Sequence, residues 1–140
     1  MPLNHPAAIK AFMFAGNARF TIESVNTGKR FTFKIRSKDQ DKPAFVSVLT
    51  GPDNESSYTF LGTVFDDGTF RHGRRSIISA EASSAKAFVW FYDHIAANSL
   101  PDTVRFRHAG TCGRCARTLT VPESIDSGYG PECINHVMGL

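Results

Sequence analysis

Three cysteines near the end of the chain have the spacing of a metal site. Cys112 and Cys115 form a Cys-x2-Cys pair, and Cys133 follows after seventeen further residues. Two thiolates on one tight turn, which Gly113 allows, can bind one ion, and a second half about 15–20 residues later completes a tetrahedron. The number of cysteines is odd and all lie in the last 29 residues, which favours metal over disulfides. We therefore predict one structural zinc ion.

Two histidines compete for the fourth position on this ion. His108 precedes Cys112 by four residues, and His136 stands at Cys-x2-His spacing after Cys133. Spacing alone favours His136 narrowly and leaves both open. Four protein ligands would make a closed, structural site, whereas three would leave a water position for hydrolysis with a nearby glutamate as base. The competing interpretation is that the cysteines are reduced, unliganded and buried as small hydrophobic residues.

Basic residues form three groups along the chain. The first lies on the outer face of a predicted hairpin, the second lies beside a glycine, and the third surrounds the cysteines. Placed on one side of the protein, they would form an electrostatic footprint for nucleic acid; the alternative is solvated strand faces and charged sheet edges. The net charge of +3 permits a phosphate partner without requiring one. The groups are Lys29, Arg30, Lys34, Arg36 and Lys38; Arg71, Arg74 and Arg75; and Arg105, Arg107, Arg114 and Arg117.

Aromatic residues are mostly phenylalanine, with 12 Phe against one Trp and three Tyr, which is typical of sheets packed by aromatic faces. Six of them alternate with polar residues, and this alternation predicts core positions. Rings on a strand can also be stacking platforms for bases, as in proteins that bind single strands. We expect Trp90, on a predicted helix, to be core as well. The six are Phe31, Phe33, Tyr58, Phe60, Phe65 and Phe70.

Hydrophobic periodicity predicts an α+β fold. A short helix begins with Pro6 at its first position, and a longer helix with a serine cap covers 83–98. The strands come first and the covering helix afterwards, which is typical of a layered α+β arrangement. We expect a small antiparallel sheet of about five strands covered by one main helix, with a C-terminal zinc-knuckle appendage. The predicted division is 1–104 for the α+β domain and 105–140 for the zinc-knuckle segment packed on it.

Motifs for catalysis are missing from the sequence. It has no glycine-rich phosphate loop before a helix, no Gly-x-Ser-x-Gly elbow and no His-Glu-x-x-His. We therefore expect a protein that is not an enzyme and has no small-molecule substrate. No stretch approaches the roughly 20 apolar residues of a membrane span, and the first residues do not read as a signal peptide. The expected location is the cytoplasm.

The stretch from Cys112 to Cys133 resembles a zinc-knuckle domain of unknown function. That domain occurs in phage and prophage proteins and at the ends of some Swi/Snf-type helicases. Its pattern is Cys-Gly-x-Cys-Gly-Arg, then Leu-Thr-x-Pro-x-Ser-Ile, then Gly-x-Gly-Pro-x-Cys, from which Ala116 departs because the family usually has glycine there. The upstream part is similar to small phage and plasmid proteins, in which a His-x-Gly-x-Cys stretch precedes the knuckle. The resemblance therefore implies that His108 is the fourth ligand.

Three functions follow as expectations, in order. The first is a non-enzymatic zinc-stabilised accessory module, derived from a phage or mobile element, that binds nucleic acid or a nucleic-acid-processing complex in a bacterial host cell. The second is a phage-encoded inhibitor of a host defence machine, similar in role to anti-CRISPR proteins, that acts by protein–protein binding. The third is a hydrolase with an open zinc position. Affinity that falls steeply with salt is typical of the first.

Overall fold

Segments in which buried and exposed residues alternate form the strands of one sheet. The computed structural model describes residues 3–38, 42–53 and 56–138. The strands are β1 (Asn17–Ser24), β2 (Arg30–Arg36), β3 (Ala44–Leu49), β4 (Tyr58–Val64), β5 (Phe70–His72) and β6 (Val104–His108). The helices are α1 (Pro6–Met13), α2 (Ser83–Ala96), α3 (Pro122–Ser127) and α4 (Pro131–Val137). The α+β class predicted from the sequence is confirmed, with six strands in the sheet.

All strand pairs are antiparallel, in the order β5-β4-β3-β2-β1-β6. The first five strands follow one another as a meander, and β6 returns across the sheet to pair with β1. The predicted boundary between 104 and 105 falls within β6, which is a strand of the main sheet. The division into two segments remains a prediction. Among the described residues, no helix combines the length and apolar character needed to cross a membrane.

One face of the sheet, here called the inner face, packs against α1 and α2. Phenylalanine rings make much of this contact: the ring centroid of Phe33 lies 5.2 Å from that of Phe88 on α2, and Phe12 on α1 lies 6.0 Å from Phe106 on β6. Phe12, Phe33 and Phe88 are fully buried. Burial of each such side chain contributes about 1.5–3 kcal/mol. The prediction that aromatic faces pack the sheet holds for these rings.

The buried stripe of α2 is narrower than its sequence suggests. Its buried residues include Phe88 and Phe91, whereas Val89 and Trp90 are 42% and 44% exposed. The prediction that Trp90 belongs to the core is therefore wrong. Trp90 follows Phe88 by two residues, which turns it about 200° around the helix and away from the sheet. Its ring packs instead on His94, one turn further along α2, at a centroid distance of 4.6 Å.

Phe65 is also exposed, at 42%. It lies just beyond the end of β4, where its backbone N–H donates to the Thr69 carbonyl across the turn. The guanidinium of Arg71 lies 5.5 Å from its ring centroid. Alternation placed Phe65 in the core, but the buried residue here is its neighbour Val64, so Phe65 lies on the opposite side of the hairpin.

Candidate metal centre and cationic sheet face

The three cysteines come together, as their spacing predicts. Their sulfur atoms all lie within 4.8 Å of one another. Cys112 and Cys115 lie on the turn that follows β6, and Cys133 lies in the first turn of α4. Two of the thiols are buried, and that of Cys115 is exposed. A donor set of three thiolates at this separation fits one thiophilic metal ion, because zinc–sulfur bonds of about 2.3 Å need only a small contraction of the group.

Backbone hydrogen bonds shape the turn that carries the first two cysteines. The Ala116 N–H donates to the Cys112 carbonyl at 2.9 Å, and the Cys112 N–H donates to the Arg117 carbonyl at 2.8 Å. The Arg114 N–H points to the Cys112 sulfur at 3.4 Å. Amides directed at sulfur favour the thiolate, which is the form that binds metal.

The thiols differ in proton affinity. Burial acts to raise the pKa of Cys112, but hydrogen bonds from the backbone N–H groups of Cys115, Gly130 and Arg114 outweigh it, so this pKa lies below its ordinary value. Burial raises the pKa of Cys133 to about 11, although the Arg114 guanidinium donates to its sulfur at 3.6 Å and opposes the rise. A bound cation favours the thiolates further, since coordinated thiols lose their protons. The positive charge next to the Cys133 sulfur is that of the Arg114 guanidinium.

Ala116 lies on this turn in a backbone conformation that is unusual for a residue other than glycine. Its φ is +67°, in the left-handed region that glycine adopts without strain. A residue with a Cβ is held there at a cost of about 1–2 kcal/mol. Position 116 is therefore one at which glycine would fit the turn without strain.

We expect Ala116→Gly to raise the stability of the protein, because it relieves this strain. The gain is about 1 kcal/mol after the added freedom of the unfolded chain is deducted, which corresponds to a rise in Tm of roughly 4 °C. Thermal unfolding of the zinc-loaded protein measures it. Ala7→Gly, in the first turn of α1, is the matched control and is expected to lower Tm. A lower Tm for Ala116→Gly would contradict the proposed strain.

The cysteine turn is bound to the rest of the protein through α1 and β1. The Asn17 N–H donates to the Gly113 carbonyl, and the Asn17 amide donates to the Arg114 carbonyl, both at 2.8 Å. A Cβ at Gly113 or Gly128 would lie 2.4 or 2.9 Å from the Phe12 ring. These two glycines therefore let the metal segment lie directly against the core. Tyr129 packs there too, with its ring 5.7 Å from that of Phe12.

The structure does not bring His108 into the group of cysteines. Its Nδ1 accepts a hydrogen bond from the Gly110 N–H at 3.0 Å, and its Nε2 contacts the Ile125 carbonyl. A neutral ring that accepts at Nδ1 carries its proton at Nε2, so both nitrogens are engaged by backbone. To bind the metal, His108 would have to release one of these partners. His136 is exposed near the end of α4. The assignment of His108 as the fourth ligand stays a prediction.

The other face of the sheet, here called the outer face, carries the basic residues. Cross-strand register forms rows on it: Arg105 pairs with Glu23, which pairs with Arg30. In another row, Arg19 pairs with Lys34. The longest row runs through Asn17, Arg36, Phe45, Thr63 and Arg71 across five strands. We call the seven cations that the strands carry on this surface the cationic face: Arg19, Arg30, Lys34, Arg36, Arg71, Arg105 and Arg107.

The cationic face combines members of all three groups identified in the sequence. Of the remaining predicted residues, Lys29 lies in the β1–β2 turn, Arg74 and Arg75 follow β5, and Arg114 and Arg117 lie at the cysteine turn. Arg19 was missed, although it alternates with Phe20 just as Thr21 does. Partial burial lowers the pKa of Lys34, and the like charges of Arg19 and Arg36 nearby lower it further.

Similarity to known proteins is limited to the metal segment. Residues 104–137 match the sequence profile of a family of unknown function, DUF6011. The matched residues run from β6 to α4 and include all three cysteines and His108. No curated protein and no solved structure matches the chain.

Proposed function

We propose that this protein is a zinc-stabilised, non-enzymatic module that binds nucleic acid across the outer face of its sheet. The observation that carries the proposal is the cationic face, in which register aligns seven basic residues from four strands. Glu23 is the acidic residue within these strands, and it stands between Arg105 and Arg30. Such a concentration of charge attracts phosphates and releases their counterions on binding.

Zinc is the ion proposed for the cysteine centre. Thiolates are soft ligands that select zinc over magnesium or calcium, and sites rich in cysteine are typically structural. The ion would hold Cys112, Cys115 and Cys133 together and so stabilise a segment of short helices and turns. Because this segment is hydrogen-bonded to β1 through Asn17, its folding also supports the edge of the sheet where Arg105 and Arg107 lie.

The test compares two triple variants with equal changes in charge. Arg30, Arg105 and Arg107 are changed to glutamine in the first; exposed residues outside the face, Lys10, Arg74 and Arg75, are changed in the control. We expect the first to bind a labelled 20-nucleotide DNA or RNA at least about tenfold more weakly, and its log–log salt slope to fall by about 2–3. The control should change affinity by no more than about twofold. Fluorescence anisotropy at several salt concentrations measures both.

Equal losses in both variants would mean that net charge, and not the face, attracts the ligand. Failure of the unaltered protein to bind either nucleic acid at low salt would overturn the proposal. Each variant is first checked for one bound zinc and an unchanged Tm, so that a loss of affinity reports on the surface.

An inhibitor that binds a protein of a host defence machine is the second candidate. Exposed apolar residues on α2 favour it, since Val89 and Trp90 face away from the core. Together with Phe31 and Val104, Trp90 also lines a cleft of about 420 Å³. A pull-down of the tagged, zinc-loaded protein from bacterial lysate, with and without nuclease, separates the candidates. A protein partner that survives nuclease and is lost in Trp90→Ala supports the inhibitor.

A further inference from the structure

We infer that the nucleic acid is single-stranded and that its bases stack on Tyr58 and Phe45 in a groove of the outer face. This inference rests on the proposed function and specifies its ligand. It is carried by the aromatic residues that lie among the cations.

The groove lies over β2, β3 and β4 and has a volume of about 850 Å³. Its described lining contains four cations and two aromatic rings, together with hydroxyl groups, and no acidic residue. It therefore offers charge for phosphates and flat apolar surface for bases in one concave site. The lining residues are Lys34, Arg36, Ser37, Lys38, Lys42, Pro43, Phe45, Ser47, Ser56 and Tyr58.

Tyr58 is held in place among cations. The Nζ of Lys34 lies 5.5 Å from its ring centroid, and the guanidinium of Arg19 lies 5.9 Å away. Contact of this kind orients the ring through its quadrupole. Burial raises the pKa of its hydroxyl, opposed by Arg19, so the phenol stays neutral and does not repel phosphate. A ring that is both positioned and partly exposed suits stacking of a base.

Phe45 is a large apolar side chain on an otherwise cationic surface. It is 50% exposed, and its cross-strand partner on β2 is Arg36. A base placed against it would remove apolar surface from water while its phosphate contacts the arginine. Phe45 and its neighbour Arg36 therefore supply the two parts of a nucleotide contact: an apolar surface for the base and a positive charge for the phosphate.

The shape of this face favours a single strand over a duplex. In a duplex the faces of the bases are stacked within the helix, so rings lying on a sheet cannot reach them. The major groove admits a protruding helix or a two-stranded ribbon, which a broad sheet face is not. Tyr58 on β4 and the arginines Arg105 and Arg107 on β6 are four strands apart, which is about 19 Å at the usual strand spacing. That length accommodates several nucleotides of an extended strand.

The experiment uses the zinc-loaded full chain with labelled dT12, U12 and a 12-base-pair duplex. We expect the single strands to bind at least about tenfold more tightly than the duplex at equal salt. Changing Tyr58 and Phe45 together to leucine should weaken binding of the single strands by about tenfold or more, because stacking is lost. The salt slope should stay unchanged, since the phosphate contacts remain. Trp90→Leu is the matched control, an exposed aromatic residue on α2 outside the cationic face, and should have no effect.

Two results would overturn the inference and leave the proposed function standing. One is equal affinity for the duplex and the single strands. The other is a double leucine variant that binds dT12 as tightly as the unaltered protein. Absence of binding to all three probes would overturn the proposed function as well. Phe45→Leu alone, at an exposed position, provides a second test if the double variant has a lowered Tm.

Discussion

Cys112→Ser is expected to reduce bound zinc from about one ion per chain to nearly none and to unfold residues 109–137. Structural zinc contributes about 10–16 kcal/mol in small zinc-dependent folds, which α3, α4 and the turns between them cannot replace by apolar burial. The strands β1–β5 should stay folded, because their core lies under α2. Metal analysis gives the stoichiometry, and hydrogen exchange shows which amides lose protection.

Thr120→Ala is the control for this variant, since Thr120 is an exposed residue of the same segment and should keep its zinc. Full zinc content in Cys112→Ser, or unchanged protection over 109–137, would contradict a structural metal. The same metal analysis of His108→Ala and His136→Ala decides the fourth ligand. Loss in the first alone is expected from the assignment of His108, and loss in the second alone would replace it with His136.

Phe12→Ala is expected to lower the free energy of unfolding by about 3–5 kcal/mol, as for other fully buried phenylalanines. Its ring contacts Phe106 in the sheet and Tyr129 in the metal segment. Removing the ring therefore opens a cavity between the two parts, so we also expect weaker zinc binding. Chemical denaturation measures the first effect, and competition with a chelator measures the second.

Phe45→Ala is the matched control, because the same ring is half exposed there and its removal should change stability by about 0.5 kcal/mol or less. A loss below about 1 kcal/mol in Phe12→Ala would show that the interior closes around the missing ring. Unchanged zinc affinity with a large loss of stability would mean that the metal segment folds independently of the core.

Sequence reasoning succeeds here where the determinants are local. The cysteine turn could be predicted from three residues and their spacing, because ligand geometry restricts where thiolates lie. The alternation in β1 and β2 likewise assigns Phe33 and Lys34 to opposite faces. The fourth metal ligand is harder to predict from the sequence, because both His108 and His136 have a suitable spacing from the cysteines. The orientation of the His108 ring depends on backbone groups that come near it only in the folded protein.

Non-local pairing limits the rest of the prediction. Three basic groups were evident in the sequence, but their assembly depends on β6 crossing the sheet to pair with β1. That pairing puts Arg105 and Arg107 on the same face as Arg30, whereas Arg74 and Arg75 lie outside it because they follow β5. The prediction for Trp90 was wrong for a related reason. Periodicity shows that a helix has an apolar side, but the width of its buried stripe depends on the surface against which the helix packs.

The pairing of β6 with β1 also affects how the chain folds during synthesis. Ser24 and Val104, the pair nearest in sequence, are 80 residues apart. At about 5–20 residues per second, a ribosome adds those residues in roughly 4–16 s. During that interval one edge of β1 has no strand from its own chain beside it. An early sheet of this kind is open to association with other chains, so we expect the yield of folded protein to depend on chaperones that shield strand edges.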